Sequence, residues 1–254
     1  MSITSNAELE GMQQISEAVA VTLRKMREYA QPGMSTKELD TYGGQILKEY
    51  GARSAPKLTY GFPGWSCISV NREVAHGIPS DKKILKDGDL INIDVSAELN
   101  GFWSDNGGSF VLGNDIHNHK PLVEASRQIL YKAINQIKGG IRIADIGKLI
   151  EDEARKSGYK VIKNLVGHGV GRSLHEEPNE IPCFNDRFNR QRFKTNSVVA
   201  VETFISTRAN HAHDSGDGWT LVTKDGSFVA QHEHTIMITD GKPVIFTAQN
   251  QIWD

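Results

Sequence analysis

Two cysteines in 254 residues, Cys67 and Cys183, are too few and too far apart for a disulfide framework and fit a reducing compartment. No uninterrupted apolar run approaches the length of a membrane span. The polar, acidic start from Met1 to Glu10 also lacks the basic and then apolar pattern of an export signal. A cytoplasmic location is therefore expected. Charge of one sign is missing too: 29 basic and 31 acidic side chains leave a formal −2, which gives no footprint for nucleic acid or an anionic membrane. No Pro/Gly/Ser-rich linker divides the chain, so one α+β domain over residues 1–254 is expected.

The stretch at residues 89–110 organises what is present. It is strand-like on both sides of Asn100-Gly101, the dipeptide that most favours a type I′ hairpin. With those two as the turn, Leu99 pairs with Phe102 and Ser96 with Asp105. Asp94 then falls diagonal to Asp105 on the same face. Two carboxylates so placed repel each other unless one is protonated or a cation sits between them. A solvated outer face is the ordinary reading of such a pair. The flanking Leu90, Ile91, Ile93, Val95, Phe102 and Phe110 weaken it, because they make both strands look buried on at least one side.

Elsewhere the chain alternates helical and extended texture. Ser5 to Glu8 has capping-box form, and Leu9, Met12, Ile15, Val19, Leu23 and Met26 follow at helical spacing. Gln31-Pro32-Gly33 breaks this helix. A second box, Ser35 to Glu38, opens a helix marked by Leu39, Tyr42, Ile46, Leu47 and Tyr50 and ended by Gly51. From Ala52 the texture turns to β, with short strands at Cys67–Val70 and Glu73–Gly77. Two more helices follow, marked by Leu122, Ala125, Ile129, Leu130, Ala133 and Ile137, then by Ile143, Ile146, Leu149, Ile150 and Ala154. A shift of 107 residues lays Gly33 on Gly140, Leu39 on Ile146, Tyr42 on Leu149 and Gly51 on Gly158, a faint internal repeat. Strands are expected again at Lys160–Val166, Ser197–Ile205, Trp219–Val222 and Phe228–Thr239.

The second half adds polar groups to apolar strands. Gly167 to Pro178 is a glycine-dense loop with His168 and His175 seven apart. A phosphate cradle is a competing reading that the details disfavour: the third Gly falls one residue early, Gly-Lys-Ser/Thr is absent, and Pro178 comes too soon for the required helix. Glu202 is the only charge in an otherwise apolar strand and needs a partner or a metal. If Glu233 points inward, alternation turns His232 and His234 outward as structural residues. His211, His213, Asp214 and Asp217 imitate ligand spacing but lie in a loop-like, solvated stretch. Asp94, Asp105, His168, Glu202 and Glu233 thus make four carboxylates and one imidazole, a charge that two divalent cations would balance. Such an oxygen-rich set favours Mn, Fe, Co or Mg over a thiolate-type zinc site.

Several motifs together resemble one family. They are Val70-Asn71-Arg72-Glu73-Val74-Ala75-His76-Gly77-Ile78-Pro79, Asn92-Ile93-Asp94-Val95 with Asp105 eleven residues on, Gly167-His168-Gly169-Val170-Gly171 with His175-Glu176-Glu177-Pro178, and Glu233-His234-Thr235. From about residue 8 to 245 the chain resembles the type I methionine aminopeptidases of the creatinase-like "pita-bread" metallopeptidases. The resemblance implies two pseudo-symmetric halves, roughly 5–112 and 113–245, around a curved antiparallel sheet with outer helices. It also implies two divalent ions, with Co, Mn or Fe favoured over Zn and Ni. Asp94 would chelate one, Asp105 and Glu233 would bridge both, and His168 and Glu202 would complete the second. A metal-bridged hydroxide would be the nucleophile, with Glu202 as ligand and proton shuttle. His175 would stabilise the oxyanion, and His76 would donate near the scissile amide.

The implied side-chain pocket is apolar: Phe62, Cys67, Leu174 and Trp219 line it and Thr59 stands at its rim. The implied activity is removal of the initiator methionine from nascent proteins with a small second residue, by a monomer in transient contact with the ribosome. Thr59 and Leu174 depart from positions often aromatic in that family, and Thr203 from a usual proline. These departures bear on substrate preference and turnover rather than on metal ligation. A proline-directed aminopeptidase or dipeptidase of the same fold, and a non-catalytic ligand-binding relative, are the alternatives.

Overall fold

Helix α1 (Asn6–Tyr29) starts where the Ser5 side chain accepts a hydrogen bond from Glu8 N, and it buries Met12, Ile15, Val19, Leu23 and Met26. Each such side chain contributes roughly 1.5–3 kcal/mol when fully buried. The expected capping box is only half formed. Glu8 turns from Ser5 and accepts instead from Thr4 N and Oγ1, at 2.7 and 2.8 Å. Helix α2 (Thr36–Glu49) has the complete box between Ser35 and Glu38. After β1 (Arg53–Ser54) comes a short helix, α3 (Ala55–Tyr60), which the expected β texture from Ala52 missed. Pro56 in its first turn, where no N–H is needed, favours it.

Strands β2 (Cys67–Val70) and β3 (Glu73–Ala75) follow. The second stops two residues short of the expected Gly77, because His76 leaves the extended region at φ +55°. Strands β4 (Leu90–Leu99) and β5 (Phe102–Val111) form the expected hairpin, with Leu99 opposite Phe102 and Ser96 opposite Asp105. Asn100 and Gly101 take φ +53° and +83°, as a type I′ turn requires. Ile91, Ile93, Val95 and Ala97 enter the apolar core. Asn92, Asp94 and Ser96 therefore point to the other face.

Helices α4 (Lys120–Gln136) and α5 (Ile143–Lys156) open the second half, followed by β6 (Lys160–Val161) and β7 (Val166–Gly169). The single strand expected from Lys160 to Val166 is thus two. Both bounds of α5 and of β6 lie 107 residues after those of α2 and β1. Strands β8 (Glu176–Pro182), β9 (Val198–Ser206), β10 (His213–Asp214), β11 (Leu221–Val222), β12 (Val229–Met237) and β13 (Val244–Ile245) complete the set.

A ten-stranded sheet runs β1-β4-β5-β12-β9-β7-β8, with β2 on β4, β6 on β9 and β13 on β12, while β10-β11-β3 make a small second sheet. Helices α1 and α4 pack against the large sheet. At its centre, β5 and β12 share one register pair, Gly108 with His232. Side chains close the rest of this seam: Thr235 Oγ1 accepts from Asp105 N at 3.0 Å and donates to Asp105 O at 2.7 Å, and Ser109 Oγ accepts from Gln231 N at 2.9 Å. The computed structural model describes residues 1–253. Among them no helix is long and apolar enough to cross a membrane, and Cys67 and Cys183 are both buried and free.

The turn offers a direct test of the hairpin. At φ +83° an alanine is strained, so Gly101→Ala is expected to lower the unfolding free energy by about 1 kcal/mol in urea denaturation. An unchanged midpoint would show that the turn does not set the register.

Candidate metal centre

The face of the sheet away from α1 and α4 opens into a cavity of about 440 Å³ lined by Asp94, Asp105, His168, Glu202 and Glu233. Alternation explains the gathering. Asp94 and Asp105 come from β4 and β5 on one side of the central seam, and Glu233, Glu202 and His168 from β12, β9 and β7 on the other. Glu202 and Glu233 are direct cross-strand partners. His168 belongs to strand β7 rather than to the expected glycine loop. Gly167 and Gly169 serve close packing there, since a Cβ on either would overlap the backbone of Ala200 or Glu177.

Asp105, His168 and Glu233 place one ligand atom each within 4.8 Å of one another. Asp94 shares a hydrogen bond with Asp105, and Glu202 faces Glu233, so the other two border this trio without joining it. His168 Nδ1 lies 3.0 Å from Gly169 O. A carbonyl only accepts, so Nδ1 carries the proton and Nε2, 3.8 Å from Asp105 Oδ2, presents a lone pair.

Burial dominates the electrostatics. Desolvation lifts the Asp94 carboxyl to about 6, against which its hydrogen bond with Asp105 works. Asp105 is raised well above the usual range by desolvation and then by the charges of Glu233 and Asp94. Glu202 and Glu233 are raised by desolvation and then by neighbouring carboxylates. Desolvation and the nearby His175 bring His168 down to about 3, so its imidazole is neutral.

This donor set fits divalent cations. Asp105 Oδ1 is buried with no hydrogen-bond partner, and the neutral imidazole presents its lone pair 3.8 Å from the other oxygen of the same carboxyl, Oδ2. Cys67 lines the same cavity, but desolvation and then Asp94 push its thiol well above the ordinary value, so it brings no thiolate. The set is rich in oxygen, as hard and borderline cations prefer.

The remaining expected residues fall mostly into place. His76, His175, Phe62, Cys67, Leu174 and Trp219 all line the cavity, with Phe62 and Trp219 in edge contact at 5.2 Å between ring centroids. Thr59 does not: it is exposed on α3, and the neighbouring Tyr60 lines the cavity instead. Tyr60 Oη lies 2.7 Å from His175 Nδ1, a contact between α3 and the β7–β8 connection that no sequence signal announced. Asn92, Phe204 and Gln231 were also missed. Each stands two residues from an expected ligand on the same strand, so alternation could have found them. Beyond the cavity, His232 and His234 do face the other way. They are nonetheless buried, His232 Nδ1 against Ser126 Oγ at 2.9 Å and His234 Nδ1 against Thr247 Oγ1 at 2.8 Å. Thr203 also meets Ser126 Oγ, at 3.2 Å, which satisfies its buried hydroxyl.

Known proteins are similar to this chain. The profile of metallopeptidase family M24 matches residues 10–240. "Methionine aminopeptidase 2" of Bacillus subtilis is 51% identical over 247 residues, covering 97% of this chain and 99% of that protein. Among solved structures, a methionine aminopeptidase from Thermotoga maritima superposes with a TM-score of 0.92 at 37% identity, over 97% of this chain and 99% of that one. The prolidase from Pyrococcus furiosus, with a TM-score of 0.76 at 20% identity, shares the fold, and the chain covers 65% of it. The pita-bread fold expected from the motifs is therefore present, and the chain belongs to metallopeptidase family M24 and, within it, to the methionine aminopeptidases.

Proposed function

We propose that the chain removes N-terminal methionine from peptides and newly made cytoplasmic proteins whose second residue is small, with Asp94, Asp105, His168, Glu202 and Glu233 holding two divalent cations, Co, Mn or Fe. The observation that carries this reading is four carboxylates and a neutral imidazole in one cavity beside an apolar wall. Residues 1–254 act as one catalytic unit in which the first half supplies two ligands and the second half three.

Bound there, a divalent pair supplies Lewis acidity, which lowers the pKa of water towards ~7 and polarises a carbonyl. The side chains do the rest. Phe62, Trp219, Leu174 and Cys67 form a wall suited to an unbranched thioether. Glu202, ionised when it holds a cation, would take a proton from the attacking water and return it to the leaving amine. Tyr60 has a phenol raised by desolvation and then by Asp105, and we assign it as the donor to His175 Nδ1, 2.7 Å away. The proton on His175 Nε2 is then free to meet the developing oxyanion. His76, held left-handed at φ +55°, presents its imidazole to the scissile amide.

Peptide hydrolysis tests the reading first. Metal-loaded protein is expected to cleave Met-Ala-Ser and to spare Met-Lys-Ser in a chromatographic assay; cleavage of neither peptide would refute it. Asp105→Ala is expected to lose metal and activity together. His175→Ala should keep its metal while kcat falls about 10²–10⁴-fold, and metal loss there would make His175 a ligand instead.

Stability gives a separate readout. The four carboxyls titrate higher folded than unfolded, so between about pH 5 and 8 the folded metal-free chain binds more protons. Its melting temperature is expected to fall as pH rises through 6. Added Mn²⁺ should raise it most at pH 8 and progressively less towards pH 5, as protons compete for the ligands. A Mn²⁺ effect independent of pH would speak against these carboxyls as ligands.

A further inference from the structure

Gln231 is 1% exposed, and nothing in the reaction above uses it. It precedes Glu233 by two positions on β12, so both side chains turn to the cavity. Its neighbours determine which way its amide faces. Asn92 Nδ2 approaches the Gln231 backbone carbonyl at 3.3 Å, and a carbonyl only accepts, so that atom is the Asn92 nitrogen. The same nitrogen donates to Ser109 Oγ at 3.2 Å and to Gln231 Oε1 at 2.7 Å. With its oxygen committed to Asn92, Gln231 turns Nε2 to Glu233 Oε2 at 3.1 Å and Glu202 Oε2 at 3.4 Å. An amide nitrogen carries two protons, enough for one bond to each carboxylate. Among the described residues no other donor hydrogen-bonds either glutamate side chain.

The hairpin makes room for this amide. Gly107, the ladder partner of Asp94, is a glycine at φ < 0, so its turn geometry does not explain it. A Cβ at this position would overlap the Gln231 side-chain amide. Asn92 stands two residues before Asp94, Gly107 two after Asp105, and Gln231 two before Glu233. Through Asn92, Ser109, Gln231 and Glu202 one polar chain thus reaches all four acid-bearing strands, β4, β5, β12 and β9.

We propose that Gln231 is a positioning residue of the candidate metal centre: its Nε2 holds the Oε2 atoms of Glu202 and Glu233, which leaves one oxygen of each for the cations, and Gly107 is the gap that admits it. Like charges directly opposite in a ladder repel. The amide opposes that repulsion without adding charge of its own. The inference rests on reading the five ligands as a metal centre.

Co²⁺ titration of the purified chain, followed by its d–d absorption and by competition with a chelating dye, tests the role apart from activity. Gln231→Met keeps the side-chain length and removes the donor. It is expected to weaken Co²⁺ binding about 10–100-fold, the usual effect of losing an outer hydrogen-bond partner, and to alter the absorption band, with the metal-free melting curve confirming a folded chain. Gly107→Ala leaves Gln231 in the sequence but pushes its amide aside, and should weaken Co²⁺ in the same direction. In a Gln231→Ala background, which vacates that space, the same glycine change should matter less than about twofold, because the two sites act through one contact. An unaltered affinity and spectrum in Gln231→Met, or an equal Gly107→Ala penalty in both backgrounds, would overturn the positioning role. Failure of the unsubstituted chain to bind Co²⁺ would instead overturn the metal-centre reading beneath it.

Discussion

Four carboxylates buried in one cavity are the constraint on which this molecule turns. Desolvation raises each of them, and neighbouring carboxylates raise Asp105, Glu202 and Glu233 further, so the metal-free chain keeps protons on groups that water would ionise. Among the described residues no lysine or arginine side chain lines the cavity to relieve them. The relief available is a cation, and the geometry keeps a place for it: Asp105 Oδ1 has no hydrogen-bond partner, and the His168 Nε2 lone pair lies 3.8 Å from the other oxygen of that carboxyl. Folding therefore carries an electrostatic load that binding removes.

The seam between β5 and β12 is where that load is applied. Regular pairing there thins to one residue pair, and the Thr235 and Ser109 hydroxyls take over. The acids of both halves flank this seam on the face where the cavity opens. Hydroxyl links hold the halves together without filling it. The opposite face has no such opening, since Ile91, Ile93 and Val95 pack there into the apolar core.

The candidate site is also built on departures from regular structure. His76 takes a left-handed conformation at the end of β3, and Gly167 and Gly169 let β7 pass close to its neighbours. Tyr60 reaches His175 from a six-residue helix in the other half. These features belong to the site rather than to the core, as expected where a fold gives up local regularity to aim a side chain.

Periodicity alone determined much of this protein. The Asn100-Gly101 turn and the alternation around it put Asp94 and Asp105 on one face, and the 107-residue shift anticipated the matching bounds of α2 with α5 and β1 with β6. Both are local rules, in which side-chain direction follows from position along one element. What local rules could not supply was which faces meet. The place of Tyr60 in the cavity wall and the split of the Lys160–Val166 strand each depend on a partner elsewhere in space. So do the Gln231 amide and the glycine opposite it, because a hydrogen bond between distant strands exists only once the sheet has brought them together.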